Sequence, residues 1–271
     1  MKKRSTFLLT SMCFGFAFLY LPILLMIVYS FNDSQLVSVW GGFSTRWYSA
    51  LWENEQIIDA ALLSLRIAVT SATFATIMGT LAALAITRVG HFRGRTLFTG
   101  MLAAPLVMPE VITGLSLLML FVSLQNLIGW PGTRGINTIT IAHITFSMAY
   151  VAVVVQSRLA SMDQSMEEAA MDLGGRPFGV TFDITLPLIA PAMLSGWLLA
   201  FTLSLDDLVI ASFVSGPEAS TLPMIIFSKV KLGITPDINA LGSIIVGIVG
   251  LGVVVAGVIM LRGQSTRPTG H

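Results

Sequence analysis

Three carboxylic acids lie within long apolar runs of this sequence, where ionisable side chains are rare. Glu110 closely follows two prolines, and Asp206 and Asp207 are adjacent near the end of another run. An ionisable group in a lipid environment is costly, so each of these acids is a candidate site. Arg66 occupies a similar position and could pair with either aspartate. Even with that ion pair formed, negative charge would remain in excess, and such a lining favours a cationic ligand.

A second constellation, His143 and Ser147, places a base and a nucleophile four residues apart. No third orienting group or glycine motif for an oxyanion hole accompanies them. A polar pair packed between helices is therefore favoured over an intramembrane hydrolase. The fourteen methionines are scattered rather than paired as in copper proteins, so no metal site is predicted. The chain also lacks the Gly-x4-Gly-Lys loop that would bind ATP.

The elements that must position these groups are membrane helices. Hydrophobic residues make up 55% of the chain and charged residues 11%, whereas a soluble domain carries about 25% charged residues. Six apolar runs predict six transmembrane helices surrounded by membrane lipid, at residues 7–30, 60–87, 97–123, 136–155, 188–213 and 239–262. We expect one all-α integral membrane domain over residues 1–271. The net charge of +1, without a basic cluster, excludes nucleic acid as a partner.

The cationic residues favour one orientation of these six spans. An even number of spans puts both termini on the same side of the membrane. If that side is the cytoplasm, ten Lys and Arg residues lie inside and four lie outside, as the positive-inside rule requires. The inner set is Lys2, Lys3, Arg4, Arg88, Arg93, Arg95, Arg158, Arg176, Arg262 and Arg267. Both termini are therefore predicted to be cytoplasmic.

The second apolar run carries small side chains every three or four residues. These are Ala68, Ala72, Ala75, Gly79 and Ala83, which we call the small-residue face. Small side chains on one helix face allow the backbone of another helix to approach closely. The pattern predicts close packing within the bundle, with a seam to another subunit as the alternative.

One polar segment stands out between the fourth and fifth runs. It begins with Ser165 and has Glu168 three residues on, the pattern of a capping box at a helix start. Gly174 and Gly175 can end that helix, and Pro177 cannot continue it. The pattern predicts an amphipathic helix of about ten residues, roughly 15 Å long.

The same segment reads Glu-Ala-Ala, three residues, Gly, nine residues, Ile, one residue, Leu-Pro. It resembles the EAA loop of the permease subunits of bacterial ABC importers at all seven positions of that pattern. In that family the loop is a cytoplasmic coupling helix seated in a cleft of the ATPase subunit. The resemblance implies a coupling loop over about residues 158–187. Its contacts would come from Glu168, Ala169, Ala170, Gly174, Ile184, Leu186 and Pro187.

Two further stretches, residues 104–114 and 203–210, resemble segments of polyamine importer permeases. The likeness extends over essentially the whole chain. It looks closest to the second permease of bacterial putrescine importers, with the spermidine/putrescine systems next. It implies a type I ABC importer permease (MetI-like) fold in the bacterial inner membrane, and a polyamine path along Glu110, Asp206 and Asp207.

The same resemblance implies the partners of the chain. They would be a homologous permease in a heterodimer, two copies of an ATPase that binds the ATP, and a periplasmic polyamine-binding protein. The chain itself would be no enzyme and would need no cofactor.

Other functions stay open at this point. The same fold could import spermidine, an anion or a metal ion. A proton-coupled secondary transporter could use Glu110 and the two aspartates as a relay. It would need no ATPase, so it leaves the pattern around Glu168 unexplained. The ABC importer is therefore the favoured prediction.

Overall fold

The computed structural model describes residues 6–36, 39–217, 219–233 and 235–265, and it describes side chains as far as Leu251. These residues are almost entirely helical. The helices are α1 (Thr6–Tyr29), α2 (Arg46–Glu53), α3 (Glu55–Arg88), α4 (Arg95–Val107), α5 (Glu110–Ile128), α6 (Ile136–Ser161), α7 (Ser165–Asp172), α8 (Pro177–Val180), α9 (Leu186–Leu205), α10 (Val209–Val214), α11 (Leu222–Leu232) and α12 (Pro236–Ser265). A π-helical segment, Thr181–Thr185, joins α8 to α9.

Within the part of the chain that the structure describes, five helical segments are long and apolar enough to cross a membrane. They are Phe7–Tyr29, Glu55–Arg88, Glu110–Ile128, Ile136–Ser161 and Pro177–Leu205. Of two shorter apolar helices, Pro236–Leu251 corresponds to the sixth predicted run and Arg95–Val107 forms the first part of the third. The predicted all-helical membrane fold is confirmed. Its orientation stays a prediction, because Lys2, Lys3, Arg4 and Arg267 lie outside the described residues, as does the side chain of Arg262.

The predicted third span is divided into two helices. α4 ends at Val107, Met108 has an extended backbone, and α5 begins at Glu110. Pro109 causes this break, because a proline disfavours helical geometry at the preceding residue and has no N–H to continue the ladder. The sequence predicted one span over residues 97–123, and the structure shows a full interruption of it before Glu110.

The predicted fifth span is also interrupted. α9 ends at Leu205, and α10 begins at Val209. The three residues between them are Asp206, Asp207 and Leu208, so neither proline nor glycine accounts for the break. A continuous helix over residues 188–213 was therefore a wrong prediction, and the cause lies in contacts described below.

The chain separates into two compact units. One consists of the chain up to Ile58 together with the chain from Ile226 onward, and the other is Asp59–Ile225. In the first unit α12 packs against α1 and α2. Gly242 permits this packing, because a Cβ there would lie 2.6 Å from the sulfur of Met26. The single domain expected over residues 1–271 stays a prediction.

The second unit is organised around α3, α6 and α9. α6 and α9 pack extensively against each other, and buried residues of α3 complete the same apolar cluster. The four alanines of the small-residue face of α3 are fully buried. A Cβ on Gly79 would lie 2.8 Å from the carbonyl oxygen of Met148, so α6 is the helix that packs there. Close packing of this face within the bundle is confirmed.

Candidate functional site

Asp207 is held inside the break between α9 and α10. Its carboxylate accepts the N–H of Ala211 at 2.7 Å and that of Ile210 at 3.2 Å. The first-turn N–H groups of a helix have no partner within the helix, so Asp207 satisfies two of them in α10. His143 Nε2 lies 3.1 Å from Asp207 Oδ2, and the two side chains are 2% and 8% exposed. Asp207 is thus a buried cap.

His143 connects Asp207 to two further helices. Its Nδ1 lies 2.7 Å from Ser204 Oγ on α9, and Ser71 on α3 donates to Ser204 Oγ at 2.9 Å. A carboxylate accepts hydrogen bonds, so we assign the imidazole proton to Nε2 and the Ser204 hydroxyl as donor to Nδ1. We call Ser71, Ser204, His143 and Asp207 the buried network. It replaces the helical ladder at Asp207 and so explains the break without a proline.

Two pairings considered from the sequence are not formed. No ion pair joins Arg66 to Asp206 or Asp207 among the described residues. Arg66 is exposed, because the neighbouring Ile67 forms the buried face of α3 at this level. The hydroxyl of Ser147 is buried without a hydrogen-bond partner. Since both nitrogens of His143 are engaged elsewhere, the pair needed for a hydrolase is missing.

Asp206 and Glu110 are exposed acids, and each lies at a helix break. Asp206 follows the last residue of α9, and only its backbone N–H is used to end that helix, by donating to Thr202. Glu110 is the first residue of α5. α5 and α10 pack closely, since a Cβ on Gly114 would lie 2.7 Å from the ring of Phe213. The two breaks therefore belong to neighbouring helices, and of the two aspartates Asp206 is the exposed one.

The polar segment forms the predicted short helix, α7, and Gly174 follows it with a φ of +90° that glycine adopts without strain. The capping box was a wrong prediction. Ser165 is the first helical residue, and its N–H donates to Asp163 Oδ1 at 3.0 Å. Asp163, two residues earlier, supplies the acceptor expected from the serine. Hydrogen bonds from Ser165 hold the pKa of the Asp163 carboxyl below its usual value.

The residues of the Glu-Ala-Ala pattern lie on two successive elements. Glu168, Ala169 and Ala170 lie on α7, and Gly174 lies just after it. All four residues are exposed or partly exposed. Ile184 lies in the π-helical segment, and Leu186 and Pro187 are the first residues of α9. α7 therefore presents small side chains and the carboxylates of Glu168 and Asp172 on an accessible surface, which permits close approach of a partner.

Glu167, which the sequence analysis did not single out, is the buried acid of α7. Its Oε2 lies 2.8 Å from Nε of Arg88, the last residue of α3, and its Oε1 accepts from the Thr185 hydroxyl at 2.7 Å. Arg88 also donates to the carbonyl of Leu159, near the end of α6, at 3.3 Å. We call Arg88, Glu167 and Thr185 the acid clasp. Adjacent helical residues point about 100 degrees apart, so Glu167 and Glu168 cannot both face the same surface of α7. This spacing is the sequence signal from which Glu167 could have been identified.

A family model described as "Binding-protein-dependent transport system inner membrane component" matches residues 75–265. The chain belongs to this family. The matched residues include both acid-bearing helix breaks, α7 and the acid clasp. Membership identifies a multi-pass membrane component of a transport system, which is a transport role rather than an enzymatic one.

Two relatives place the chain among polyamine permeases of this family. It is 57% identical over 264 residues to the putrescine transport system permease protein PotI of Escherichia coli (strain K12), with 97% of this chain and 94% of that protein covered. It is 43% identical over 255 residues to the spermidine/putrescine transport system permease protein PotC of the same strain, with 94% of each covered. The predicted resemblance is confirmed.

Solved structures confirm the permease fold expected of the family. A bacterial ABC transporter involved in the import of the acidic polysaccharide alginate superposes with a TM-score of 0.74 at 20% identity, covering 96% of this chain and 95% of that chain. The MetNI methionine ABC transporter in an inward-facing conformation gives a TM-score of 0.60 at 15% identity, covering 76% and 95%. At these identities only the fold is carried over.

The described residues of this family member place no metal centre at the site. There, no group of three or more His, Cys, Asp or Glu side chains is placed to hold a metal ion. The exposed carboxylates of Glu110 and Asp206 can instead form charge-assisted hydrogen bonds with ammonium groups.

Proposed function

We propose that this chain is one permease of an ATP-driven, binding-protein-dependent importer that carries a polyamine, with putrescine as the first candidate, into the cytoplasm. The observation that carries the proposal is the 57% identity, over 97% of the chain, to a protein named as a putrescine permease. The similarity covers 97% of this chain and 94% of that protein.

The chemistry of the two helix breaks supports a diamine as cargo. Putrescine has two ammonium groups joined by a flexible methylene chain. Glu110 and Asp206 offer carboxylates to such groups, and the exposed Val107 and Val111 beside Glu110 offer apolar surface to methylenes. In this proposal Glu110 and Asp206 contact the cargo. Asp207 belongs to the path as the residue that positions the break.

The coupling end supports an ATPase partner. We infer that α7 and both termini face the cytoplasm of a bacterial cell, and that Glu168, Ala169, Ala170 and Gly174 contact an ATPase subunit. Two ATPase copies, a homologous permease and a periplasmic binding protein would complete the importer. ATP binding would move α7, and the bundle would alternate between inward-facing and outward-facing states. Ile184, Leu186 and Pro187 would continue that movement into α9.

Uptake by whole cells tests the cargo. Cells lacking the chain, and the same cells complemented with it, are given labelled putrescine or spermidine. Unlabelled competitors are a diamine, an organic anion and a divalent metal ion. We expect uptake to depend on the chain, and only polyamines to compete. Polyamine uptake that is unchanged by deletion would refute the cargo.

The energy source is tested in vesicles. Import by the complete reconstituted importer should require ATP inside and persist when a proton uncoupler is present. Transport by the purified chain alone, abolished by the uncoupler, would instead identify a proton-coupled transporter.

A further inference from the structure

We propose that the acid clasp is the joint through which movement of α7 reaches the transmembrane bundle, and that Glu167 is its positioning residue. This inference rests on the proposed function, since it assigns a route to the coupling between ATP hydrolysis and import. Glu167 itself does not touch cargo or ATP. It acts by fixing α7 to the ends of two long helices.

The acid clasp connects α7 to several helices at once. One carboxylate reaches two different elements, because Oε2 contacts Arg88 at the end of α3 and Oε1 accepts from Thr185 directly before α9. Arg88 adds the carbonyl of Leu159 near the end of α6. A single acid on α7 is therefore linked, directly or through Arg88, to the three helices that organise this unit.

The charged side chains of the acid clasp are mostly buried. The side chains of Arg88 and Glu167 are 19% and 11% exposed. Exposed ion pairs contribute little, because water and salt screen them, but pairs that are mostly shielded are screened much less. Movement of α7 away from α3 would leave a mostly buried guanidinium without its counter-charge. α7 and the end of α3 are thus expected to move together.

A continuous helical connection runs from Thr185 of the acid clasp to the buried network. The π-helical segment containing Thr185 leads without interruption into α9. α9 has 20 residues, a length of roughly 30 Å at 1.5 Å per residue. Near its far end lies Ser204, a member of the buried network that holds the break at Asp206. One helix therefore connects the clasp to the exposed acid.

The clasp also borders a cleft of about 390 Å³ between α3 and the segment that follows α7. Apolar side chains such as Leu84, Met171 and Val180 line most of this cleft. The ion pair of Arg88 and Glu167 is therefore set in a mostly apolar wall, where each charge is compensated by the other. The hydrogen bond from the Thr185 hydroxyl to Glu167 gives this contact a defined geometry.

The experiment uses the complete importer in proteoliposomes, with loaded binding protein outside and ATP inside. Variants are Glu167→Gln, Arg88→Gln, their combination, and the reversed pair Glu167→Arg with Arg88→Glu. Asp183→Asn is the matched control, because it removes an exposed carboxylate from the π-helical segment and leaves the clasp intact. The measured quantity is substrate imported per ATP hydrolysed, at equal amounts of assembled complex.

We expect Glu167→Gln to lower this ratio by a factor within the roughly 5- to 150-fold range of coupling between sites. Arg88→Gln should act similarly, and the combination should be no worse than either single change. The reversed pair should recover part of the ratio, and Asp183→Asn should match wild type. An unchanged ratio in Glu167→Gln would overturn the proposal. The proposal would also be overturned if import fell only in proportion to the amount of assembled complex.

A second readout does not depend on the cargo. In a Cys13→Ala background, Asp206→Cys is labelled with a thiol reagent with and without ATP. ATP should change the labelling rate when the clasp is intact and should have no effect with Glu167→Gln. An ATP effect that survives Glu167→Gln would overturn the clasp even if putrescine is the cargo. Failure to import putrescine, with this ATP effect present and lost in Glu167→Gln, would refute the cargo and support the clasp.

Discussion

The adjacent acids Asp206 and Asp207 and the adjacent acids Glu167 and Glu168 repeat one arrangement in two regions of the molecule. In each pair one carboxylate is exposed and its neighbour is held by the bundle. The holding chemistry differs. Asp207 is fixed by two backbone N–H groups and the imidazole of His143, whereas Glu167 is fixed by the guanidinium of Arg88 and a hydroxyl.

This difference separates a local role from a linking role. Two of the groups bound to Asp207 belong to the helix that begins two residues later, so its contacts mainly create a break in the backbone. The groups bound to Glu167 come from the end of α3 and the start of α9, so its contacts join elements. A buried acid can thus either shape the backbone locally or link separate helices, depending on which groups it binds.

The largest stability effect is expected at Asp207. Asp207→Ala would leave two N–H groups of α10 and one imidazole nitrogen without an acceptor, which should cost roughly 3 kcal/mol. Thermal unfolding of the purified chain in detergent measures this, with Asp206→Ala as the matched control. Equal destabilisation by the two substitutions would contradict the claim that Asp207 stabilises the fold and Asp206 does not.

A smaller loss is expected at Glu167. Glu167→Ala would leave Arg88 mostly shielded and unpaired, and should destabilise the chain by roughly 2 kcal/mol. The loss is smaller than at Asp207 because water still reaches part of the clasp. Adding Arg88→Ala should recover part of it, which the same unfolding assay can detect. Strictly additive losses would show that the two side chains do not interact.

Ser71, at the end of the buried network farthest from Asp207, should contribute less to stability than Glu167. Ser71→Ala removes one neutral hydrogen bond to Ser204 and should cost about 1 kcal/mol. Ser195→Ala is the control, because Ser195 is exposed on α9 and bonds only its own helix backbone. A Ser71 variant as stable as the control would place Ser71 outside the network.

The smallest stability effect is expected at Glu168, which is exposed on α7. Glu168→Lys should insert and unfold like wild type, yet it should uncouple ATP hydrolysis from import, because it reverses the charge offered to the ATPase. Membrane abundance, ATPase activity and import are measured together. Import at the wild-type rate would remove Glu168 from the coupling surface.

The elements that sequence patterns predicted are those governed by local chemistry. Apolar runs specify the helices because the backbone must satisfy its own hydrogen bonds in lipid. The small-residue face predicted close packing against another helix, and that helix is α6. Pro109 is the local cause of the break before Glu110, although the sequence predicted one span over residues 97–123. Gly174 correctly indicated the end of α7.

The missed features depend on contacts between distant residues. The break at Asp206 arises from His143, which lies 64 positions from Asp207 and 61 from Ser204. Arg66, which the sequence offered as a partner of the aspartates, projects from the exposed face of α3. The clasp likewise joins residues far apart in the chain. Spacing along one segment cannot supply such pairings.

The most direct test of the account is the maximal rate of putrescine uptake by cells carrying Asp206→Asn, compared with wild type at matched membrane abundance. The substitution removes one charge, keeps the size of the side chain and leaves the buried network intact. The account predicts a maximal rate at least about tenfold lower, which corresponds to 1.4 kcal/mol or more of lost transition-state stabilisation. A wild-type rate would contradict a path in which the exposed acid contacts the cargo.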